Sequence, residues 1–485
     1  MREKTALSAP DNNPKRPQAA VIMAAGKGTR MRSKKSKVLH EVAGVPMIAR
    51  VVQSAVDAGI EKVIIVVGHQ SEEVIKCVST RFPLLDLNWA IQAEQKGTAH
   101  AVMCAESALH SKGPFSGDVW ILSGDVPTLS AHLLRDLHDH HSEASLVVTG
   151  IKLEDPKSYG RLLRDQNGTL FEIREARDCS PEQLLINEVN AGLYRVDAQL
   201  LFDGLKTIKT DNAQGEYYLT DLVAYAAHRG TSISCPILSG TRAEELEGVN
   251  DRVDLAAAEL RAQRRLAKSF MEGGVTLLRP ESLRASEDVQ IDADCLIEGE
   301  VTIIGESVIG EGVTIECGCW IKDSVIEPGA VIKAYSHLEG ARVGAEASVG
   351  PFARLRQGTI LERGVKVGNF VETKKTTLEE GAKASHLSYL GDAIIGRNAN
   401  IGAGTITCNY DGYEKHQTVV GAGAFIGSDT QLVAPVVVGK GAFIAAGTTV
   451  TQDISPGALA LTRSPTVQKE AWADRFHEKR AHLKK

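Results

Sequence analysis

The chain has few aromatic residues and no long apolar run. Phenylalanine, tyrosine and tryptophan make up 5% of its 485 residues. No stretch approaches the roughly 18 consecutive apolar residues that a transmembrane helix needs, so no membrane span is predicted. Lysine and arginine (55) do not outnumber aspartate and glutamate (61), which excludes a general affinity for nucleic acid based on charge. The remaining composition, 43% apolar and 24% charged, is that of a soluble globular protein and not of a disordered chain.

Cysteine is also sparse. Eight cysteines in so long a chain do not make a disulfide framework, so a reducing, cytoplasmic location is expected. Cys317 and Cys319 form a C-x-C pair, but no second pair at zinc spacing follows, and ordinary thiols are favoured over a metal site. Residues 1–17 are polar, contain three prolines and lack the apolar centre of a signal peptide. They are predicted to be a disordered leader.

Residues 18–248 alternate apolar runs with amphipathic segments. Strands are predicted at residues 19–24, 63–67, 89–91 and 119–122, and helices at 48–58 and 71–78. Continuous apolar strands separated by helices are typical of a mostly parallel sheet that is covered on both faces. The first half is therefore predicted to be a Rossmann-like α/β domain.

The second half contains a repeat of six residues, and glycine is abundant over the whole chain (45 residues). Aliphatic residues recur at this spacing in four phased runs: Ile303, Ile309, Ile315 and Ile321; Ile326, Ile332 and Leu338; Val343, Val349 and Leu355; Ile426, Leu432, Val438, Ile444 and Val450. An α-helix cannot place every sixth residue on one face, because six residues turn it through about 600°. A solenoid of short strands can, with one aliphatic residue of each segment pointing inward and about 18 residues in each three-sided coil.

Two further segments are helical in pattern. Residues 249–270 are rich in alanine, leucine, glutamate and arginine and are predicted to be a linker helix, which Gly273 and Gly274 would end. Residues 271–485 are assigned to the solenoid domain, whose last part, from Val467, has a helical pattern with lysine and arginine at its end. A nucleic-acid patch there is the less favoured reading.

A glycine-rich loop follows the first predicted strand. Gly26 and Gly28 allow a close backbone approach to phosphate oxygens, and Lys27 and Arg30 add positive charge. The loop lacks the third glycine of the dinucleotide fingerprint and the leading glycine of a P-loop. By itself it is a weak signal, because many such loops bind nothing charged.

Two other segments carry polar groups where predicted strands end. Residues 92–98, Q-A-E-Q-K-G-T, offer an amide, a glycine and a hydroxyl suited to the edge of a base. Asp125 follows the strongest predicted strand, where open parallel sheets bind ligands, and a carboxylate there suits Mg²⁺. For Asp125 alone, a helix N-cap or turn aspartate is equally favoured.

Together these motifs resemble the sugar-1-phosphate nucleotidyltransferases. They are M-A-A-G-K-G-T-R-M (23–31), K-V-L-H (37–40), Q-A-E-Q-K-G-T (92–98) and G-D-V-P (124–127), in this order. With the six-residue repeats attached, the chain from about residue 18 is similar to the bifunctional N-acetylglucosamine-1-phosphate uridylyltransferases and glucosamine-1-phosphate N-acetyltransferases. The resemblance implies that the chain makes UDP-N-acetylglucosamine, a precursor of bacterial cell-wall polymers, by acetylation from acetyl-CoA followed by coupling to UTP.

The resemblance implies roles for residues of the first half. The residues implied to bind nucleotide and phosphate are Met23, Ala24, Gly26, Lys37, Gln92, Gly97 and Thr98. Those implied to hold the sugar are Gly160, Glu175 and Asn190, and Asp125 and Asn250 are implied to hold Mg²⁺. Ser36 stands where the family usually has proline before the phosphate lysine, which puts the rigidity of that loop in doubt but leaves its charge.

For the second half the resemblance implies a left-handed parallel β-helix with acetyltransferase activity, assembled as a homotrimer with sites between its solenoids. His386 would be the catalytic base, since histidine can take a proton near neutral pH. Arg356 and Lys374 are implied to bind the sugar phosphate, and Tyr389 and Asn400 are implied to hold the sugar. The residues implied to bind acetyl-CoA are Ala403, Asn409, Tyr410, Ser428, Ala446 and Arg463.

Two alternatives remain open at this stage. One is a single-activity sugar-1-phosphate nucleotidyltransferase with a structural or regulatory β-helix; the presence of His386, Lys374 and the Asn409–Tyr410 segment counts against it. The other is a binding or scaffold protein with inactive sites, against which Asp125, Lys37 and His386 all count.

Overall fold

The computed structural model describes residues 18–68 and 71–483, so the predicted leader, 1–17, lies outside the described residues. The chain forms two compact units, one up to Arg265 and one from Leu266. The strands of the first unit are β1 (Gln18–Met23), β2 (Glu41–Val42), β3 (Val45–Pro46), β4 (Lys62–Val67), β5 (Leu87–Ile91), β6 (Asp118–Ser123), β7 (Leu146–Lys152), β8 (Arg161–Arg164), β9 (Leu170–Arg174), β10 (Glu188–Asp197), β11 (Ile233–Ser234) and β12 (Ile237–Leu238).

The helices of this unit cover both faces of its main sheet. They are α1 (Met47–Asp57), α2 (Ser71–Arg81), α3 (Thr98–Cys104), α4 (Glu106–Leu109), α5 (Ala131–His140), α6 (Pro181–Leu184), α7 (Ala198–Leu205), α8 (Asp221–His228) and α9 (Thr241–Glu244), with 3₁₀ turns at Thr29–Met31 and Lys37–Leu39. Two separate apolar clusters, one on each face, take alternate residues of β1. This explains why β1 has four consecutive residues with no exposed surface.

The topology of the sheet fixes where a ligand can bind. Its main strand order is β11-β7-β10-β6-β1-β4-β5. Strands β1, β4, β5 and β6 are parallel, and β10 is antiparallel to both β6 and β7. The chain moves from β1 outward to β4 and β5 and then returns to place β6 on the other side of β1. The crevice at the carboxyl ends of β1 and β6 is therefore a topological switch point, where open α/β sheets bind ligands.

Helix α10 (Arg252–Glu272) joins the two units, and the division between them falls within it. Its sequence has neither glycine nor proline, which favours one continuous helix of 21 residues. Its last turns, including Leu266 and Phe270, pack against the core of the second unit.

The second unit is a solenoid of short parallel strands in two sheets. The first sheet comprises Thr276–Leu277, Leu296–Ile297, Thr314–Ile315, Val331–Ile332, Ser348–Val349, Lys366–Asn369, Lys383–His386, Asn400–Ile401, Phe425–Ile426, Phe443–Ile444 and Leu459–Ala460. The second comprises Arg284–Ala285, Gln290–Ile291, Thr302–Ile304, Val308–Ile309, Trp320–Lys322, Val325–Ile326, His337–Glu339, Arg342–Val343, Arg354–Leu355, Ile360–Leu361, Glu372–Leu378, Tyr389–Ile395, Ile406–Cys408, Thr418–Val420, Gln431–Val433, Val436–Val438 and Thr449–Val450. A short 3₁₀ turn lies at Pro280–Ser282.

The six-residue repeat is confirmed as the inward-facing pattern of this solenoid. All fifteen aliphatic residues of the phased runs are at most 3% exposed, and they belong to one apolar cluster. Strands pair in parallel with the same side of the next coil, as Ile303 does with Ile321 and then Ile321 with Leu338. The predicted fold class, an α/β nucleotidyltransferase domain followed by a left-handed parallel β-helix, is confirmed.

One corner of the solenoid carries a ladder of exposed apolar side chains. Tyr335, Phe352, Phe370 and Leu387 occupy equivalent positions in successive coils, and all have left-handed backbone conformations with φ between 48° and 58°. The rings of Phe352 stack with those of Tyr335 and Phe370 at centroid distances of 5.3 and 5.4 Å. Glycine would adopt this backbone with less strain, so large side chains at this corner are a notable feature.

The end of the chain departs from the sequence pattern. The helical pattern from Val467 corresponds to α11 (Trp472–Arg480) and a 3₁₀ turn at Ala481–Leu483, while residues 467–470 are not helical. None of the residues in α11 is buried, so no core contact extends the helix backwards. All eight cysteines are free, and no described helix is long and apolar enough to cross a membrane.

Candidate functional sites

A cavity of about 270 Å³ lies at the switch point of the first unit. Eight residues predicted to bind nucleotide, phosphate or metal are among those that line it: Met23, Ala24, Gly26, Lys37, Gln92, Gly97, Thr98 and Asp125. They come from three separate segments that follow β1, β5 and β6. The parallel register of β6, β1, β4 and β5 brings these segments together, because the carboxyl ends of parallel strands share one edge of the sheet.

The glycine-rich loop is held directly against Lys37. Gly28 has a φ of 58°, and a Cβ atom at this position would lie 2.6 Å from the Cβ atom of Lys37. Any side chain at residue 28 would therefore displace the lysine as well as strain the backbone. Close approach of the loop keeps the ammonium group of Lys37 at the cavity wall.

The segment after β5 continues the wall. The backbone N–H of Gln92 donates to the carbonyl of Val67 at 2.8 Å, which anchors the segment to the end of β4. The side-chain Nε2 of Gln92 donates to the carbonyl of Gly97 at 3.1 Å. Thr98 begins α3, and its hydroxyl accepts a hydrogen bond from the backbone of Leu219 at 3.0 Å. The segment is thus fixed at both of its ends.

The two predicted metal ligands lie close to each other and are both contacted by cations. The N–H of Val249 donates to the carbonyl of Asp125 at 2.9 Å, which places Asn250 one residue beyond that contact. Lys37 forms an ion pair with the Asp125 carboxylate, and Arg30 donates to Oδ1 of Asn250 at 2.9 Å. Asp125 and Asn250 both offer oxygen atoms, and both oxygens contact cationic side chains. The pair therefore fits a hard divalent ion that takes its other ligands from substrate phosphates and water. No group of three or more metal-ligating side chains occurs in residues 18–68 and 71–483.

The three predicted sugar residues also lie together, but they do not line this cavity. The N–H of Asn190 donates to the carbonyl of Gly160 at 2.8 Å, and a Cβ atom at Gly160 would lie 3.6 Å from Oε1 of Glu175. The Thr220 hydroxyl donates to Oε1 of Glu175 at 3.4 Å, adjacent to the Leu219 that contacts Thr98. Burial raises the pKa of the Glu175 carboxyl, and the neighbouring carboxylates of Asp178 and Asp221 add to this effect.

Sequence reasoning missed residues that the tertiary structure brings to the first site. Gln95 lines the cavity and donates through Nε2 to the carbonyl of Ala25 in the glycine-rich loop. Glu216 also lines the cavity, although it lies far from the motifs in the sequence. Gln95 belongs to the Q-A-E-Q-K-G-T motif, whereas Glu216 and Thr220 belong to no recognisable sequence motif.

In the second unit, His386 is exposed and ends a strand of the first sheet. Asn369 is its register neighbour in the preceding coil, and its Oδ1 atom lies 2.9 Å from Nδ1 of His386. The same column continues through later coils, because Ala384 pairs with Ile401, Ile401 with Ile426, and Ile426 with Ile444. Each of these four positions is followed, two residues later, by a predicted site residue: His386 and three residues predicted to bind acetyl-CoA, Ala403, Ser428 and Ala446.

The remaining predicted acetyl-CoA residues lie in a loop and a tail. Arg463 donates to the carbonyl of Ala446 at 3.4 Å, which brings its guanidinium group to the end of this column. Asn409 is buried and donates to the Asp392 carboxylate at 2.6 Å, while Tyr410 is 60% exposed. Both begin a loop that leaves the coil and returns through an isolated bridge between Tyr410 and Lys415.

The two residues predicted to bind the sugar phosphate lie at the second sheet, across the corner from His386: Lys374 lies within a strand and Arg356 directly follows one. Arg356 and Lys374 stand at neighbouring positions in adjacent coils, since Leu355 pairs with Thr373. The positive charge of Lys415, followed by that of Arg356, lowers the pKa of Lys374. Lys415, which sequence reasoning did not select, thus joins Lys374 and Arg356 in a cluster of three cations. Arg356 also forms an ion pair with Glu372, at 2.8 Å. Such a cluster suits a phosphate group.

The last two predicted residues lie on either side of the same corner. Tyr389 pairs with Glu372, the ion-pair partner of Arg356. Asn400 lies on the first sheet, paired with Lys383 and Phe425. The exposed corner ladder, in which Leu387 directly follows His386, lies between His386 and the cations of the sugar-phosphate group.

Family models match both halves of the chain. A MobA-like NTP transferase domain matches residues 20–180. The C-terminal domain of GMPPB matches residues 285–372, and a bacterial transferase hexapeptide model of six repeats matches residues 417–452. The first match includes every residue that lines the nucleotide cavity except Glu216, and the other two cover parts of the solenoid.

Curated relatives match nearly the whole chain. A bifunctional protein GlmU from Pelobacter propionicus is 48% identical over 95% of this chain and 99% of its own length. Those from Anaeromyxobacter sp. (strain Fw109-5) and Geobacter sulfurreducens are 48% and 45% identical, over 95% and 94% of this chain and 93% and 98% of theirs. Matches of this length span both units of the chain. The chain therefore belongs to the GlmU family of bifunctional uridylyltransferases and acetyltransferases.

Proposed function

We propose that the chain makes UDP-N-acetylglucosamine in two steps at two separate sites. The solenoid acetylates glucosamine 1-phosphate from acetyl-CoA, and the first unit couples the product to UTP with release of pyrophosphate. The observation that carries this proposal is the convergence of eight predicted residues on one cavity at the switch point of the sheet. A single-activity nucleotidyltransferase is not favoured, because the second unit carries His386, its Asn369 partner and a cluster of cations.

In the first unit the reaction depends on positioning and neutralisation of charge. A phosphate oxygen of the sugar 1-phosphate attacks the α-phosphorus of UTP, and the bond to the bridging oxygen breaks, so that pyrophosphate leaves with the electron pair. Lys37 holds positive charge at the cavity and Arg30 holds it beside Asn250, while the glycine-rich loop admits the phosphates. Gly160, Glu175 and Asn190 would hold the sugar.

The divalent ion that nucleotidyl transfer needs is proposed to be Mg²⁺, held by Asp125 and Asn250. When bound, it would neutralise charge on the triphosphate. Lys37 and Arg30 contact the oxygen atoms of Asp125 and Asn250 in the structure. With the ion bound there, these two cations would contact the substrate phosphates instead.

In the second unit, His386 takes the proton from the amine of glucosamine 1-phosphate as the nitrogen attacks the thioester carbonyl. The new carbon–nitrogen bond replaces the carbon–sulfur bond, and coenzyme A leaves as the thiol. Asn369 Oδ1 can only accept, so it stabilises the proton on Nδ1 and leaves the Nε2 lone pair as the base. Arg356, Lys374 and Lys415 would bind the sugar phosphate, with Tyr389 and Asn400 holding the sugar and the column from Ala403 to Ala446, the Asn409–Tyr410 loop and Arg463 holding acetyl-CoA.

The corner ladder supports assembly into a homotrimer. Tyr335, Phe352, Phe370 and Leu387 are each about half exposed, and they separate His386 from the cations of the sugar-phosphate group. A second solenoid packed on this ladder would bury its apolar surface and enclose the residues on either side of it. The substrates UTP and acetyl-CoA and the free cysteines favour a cytoplasmic enzyme.

Paired substitutions test the division of labour. His386→Ala should lower acetyl transfer by about 10²- to 10⁴-fold, the usual contribution of a general base, and leave uridylyl transfer to pre-acetylated substrate unchanged. Asp125→Ala should do the reverse. His132→Ala and Asp139→Ala, at exposed positions of the first unit, serve as matched controls. Loss of both activities from either variant, in a chain that unfolds at the wild-type temperature, would refute the proposal.

A further inference from the structure

Gln92 is held by two partners that use both hydrogens of its amide nitrogen. The residue is 4% exposed and lines the nucleotide cavity. Its Nε2 atom lies 3.1 Å from the carbonyl oxygen of Gly97 and 3.2 Å from Nδ1 of His100. His100 stands on α3 and is not among the residues that line the cavity.

These partners determine which way the carboxamide faces. The Gly97 carbonyl can only accept, so the opposite orientation would set two oxygen atoms against each other. The second hydrogen goes to Nδ1 of His100, which accepts when the ring proton is on Nε2. That proton faces the thiol of Cys104, whose Sγ atom lies 3.9 Å from Nε2. The amide oxygen of Gln92 is therefore the atom left for a ligand.

We propose that His100 is a positioning residue that fixes the Gln92 carboxamide and so determines base selectivity. The inference rests on the proposed function, in which this cavity binds UTP. An acceptor oxygen matches the N3–H donor of uracil, whereas cytosine carries an acceptor nitrogen at that position. A freely turning carboxamide could present its N–H group to cytosine, so selectivity requires the orientation that Gly97 and His100 impose together.

The test compares variants at residue 100 that keep or remove the acceptor. His100→Phe and His100→Leu fill the site without an acceptor, while His100→Asn retains one near the place of Nδ1. Pyrophosphate release is measured with UTP and with CTP, each with N-acetylglucosamine 1-phosphate, and acetyl transfer by the same preparation reports on folding. We expect the acceptor-free variants to raise KM for UTP about tenfold, as for a buried donor left unpaired, with kcat nearly unchanged. The preference for UTP over CTP should fall in parallel, and His100→Asn should restore most of it.

Other outcomes would overturn the inference. One is an unchanged preference in an acceptor-free variant, and another is a fall in kcat with the preference intact, since a merely structural role would give that result. Failure of both acceptor-free variants to fold would show that the His100 ring serves the packing of the core and not the orientation of Gln92. A wild-type chain with no preference between UTP and CTP would refute the inference while leaving nucleotidyl transfer intact. Absence of nucleotidyl transfer altogether would refute the proposed function as well.

Discussion

Asn369 and His386 stand at paired positions in adjacent coils, and the amide oxygen of one lies 2.9 Å from the imidazole Nδ1 of the other. The parallel register creates this contact, because it aligns Asn369 with the residue 17 positions later. No motif in the sequence singles out Asn369. Its proposed effect is to hold the imidazole in the tautomer whose Nε2 lone pair faces away from the coil.

Substitution of Asn369 should change the pH profile of acetyl transfer. Asn369→Asp puts a negative charge beside Nδ1 and stabilises the imidazolium, the form of the ring that cannot act as the base. Because the base acts only when neutral, the acidic limb of kcat should move to higher pH. Asn369→Ala should lower kcat by about tenfold, the scale of one lost hydrogen bond to a reacting group, while uridylyl transfer stays unchanged. An acidic limb that stays in place in the Asp variant would contradict the proposed contact.

The Ser36 position, where the family usually has proline, is suited to that residue. Its φ is −52° and its ψ is 139°, which a proline ring allows, and its N–H has no hydrogen-bond partner in the described structure. Ser36→Pro should therefore stabilise the first unit by about 0.4–1 kcal/mol, mainly by restricting the unfolded chain. Equilibrium unfolding in urea measures the change, with Ser33→Pro in the same loop as comparison. A destabilised Ser36→Pro variant would show that the loop needs the serine.

Glu175 should make the first unit less stable as pH rises. Its pKa is raised by burial, so the folded chain binds the proton more tightly than the unfolded chain. Stability is then greatest below the unfolded value of about 4.3 and falls as pH rises through the folded pKa. Glu175→Gln removes this dependence, and its free energy of unfolding should exceed that of the wild type at neutral pH but not at acid pH.

The comparison uses denaturant unfolding at a series of pH values, with Glu154→Gln, at an exposed position of the first unit, as the matched control. Because Glu175 is proposed to hold the sugar, the same variant should raise KM for N-acetylglucosamine 1-phosphate. Equal pH dependence of stability in Glu175→Gln and wild type would contradict the inference that burial raises the pKa of Glu175.

The corner ladder predicts that assembly and acetyl transfer fail together. Phe352→Glu combined with Phe370→Glu places charges in the middle of the exposed apolar surface, where a second solenoid could not bury them without a large desolvation cost. We expect a monomer in sedimentation analysis that retains uridylyl transfer and loses acetyl transfer. Phe171→Glu, an exposed aromatic position in the first unit, is the control. An active monomeric acetyltransferase would refute the trimer proposal.

The sequence predicted the sheet of the first unit and the repeat of the second for the same reason. Both are periodic apolar patterns, and burial is the dominant force that such patterns record. The predicted strand at residues 63–67 and the observed β4 (Lys62–Val67) differ by one residue. The final helix was placed too early: residues 467–470 have helical composition, but Ala471 has a left-handed backbone, which a right-handed helix cannot pass through, so the helix begins only after it.

What the sequence by itself determined is the order and spacing of the motifs, the alternation of strands with helices, and the six-residue period of the solenoid. Each can be read from the sequence, since every motif, strand, helix and six-residue segment is defined by residues that are near one another along the chain. Only the tertiary structure decided that Lys37 contacts Asp125, that Arg30 contacts Asn250 and that Asn369 contacts His386. Strand order and coil register set these contacts, because they bring together side chains whose separation in sequence carries no periodic signal.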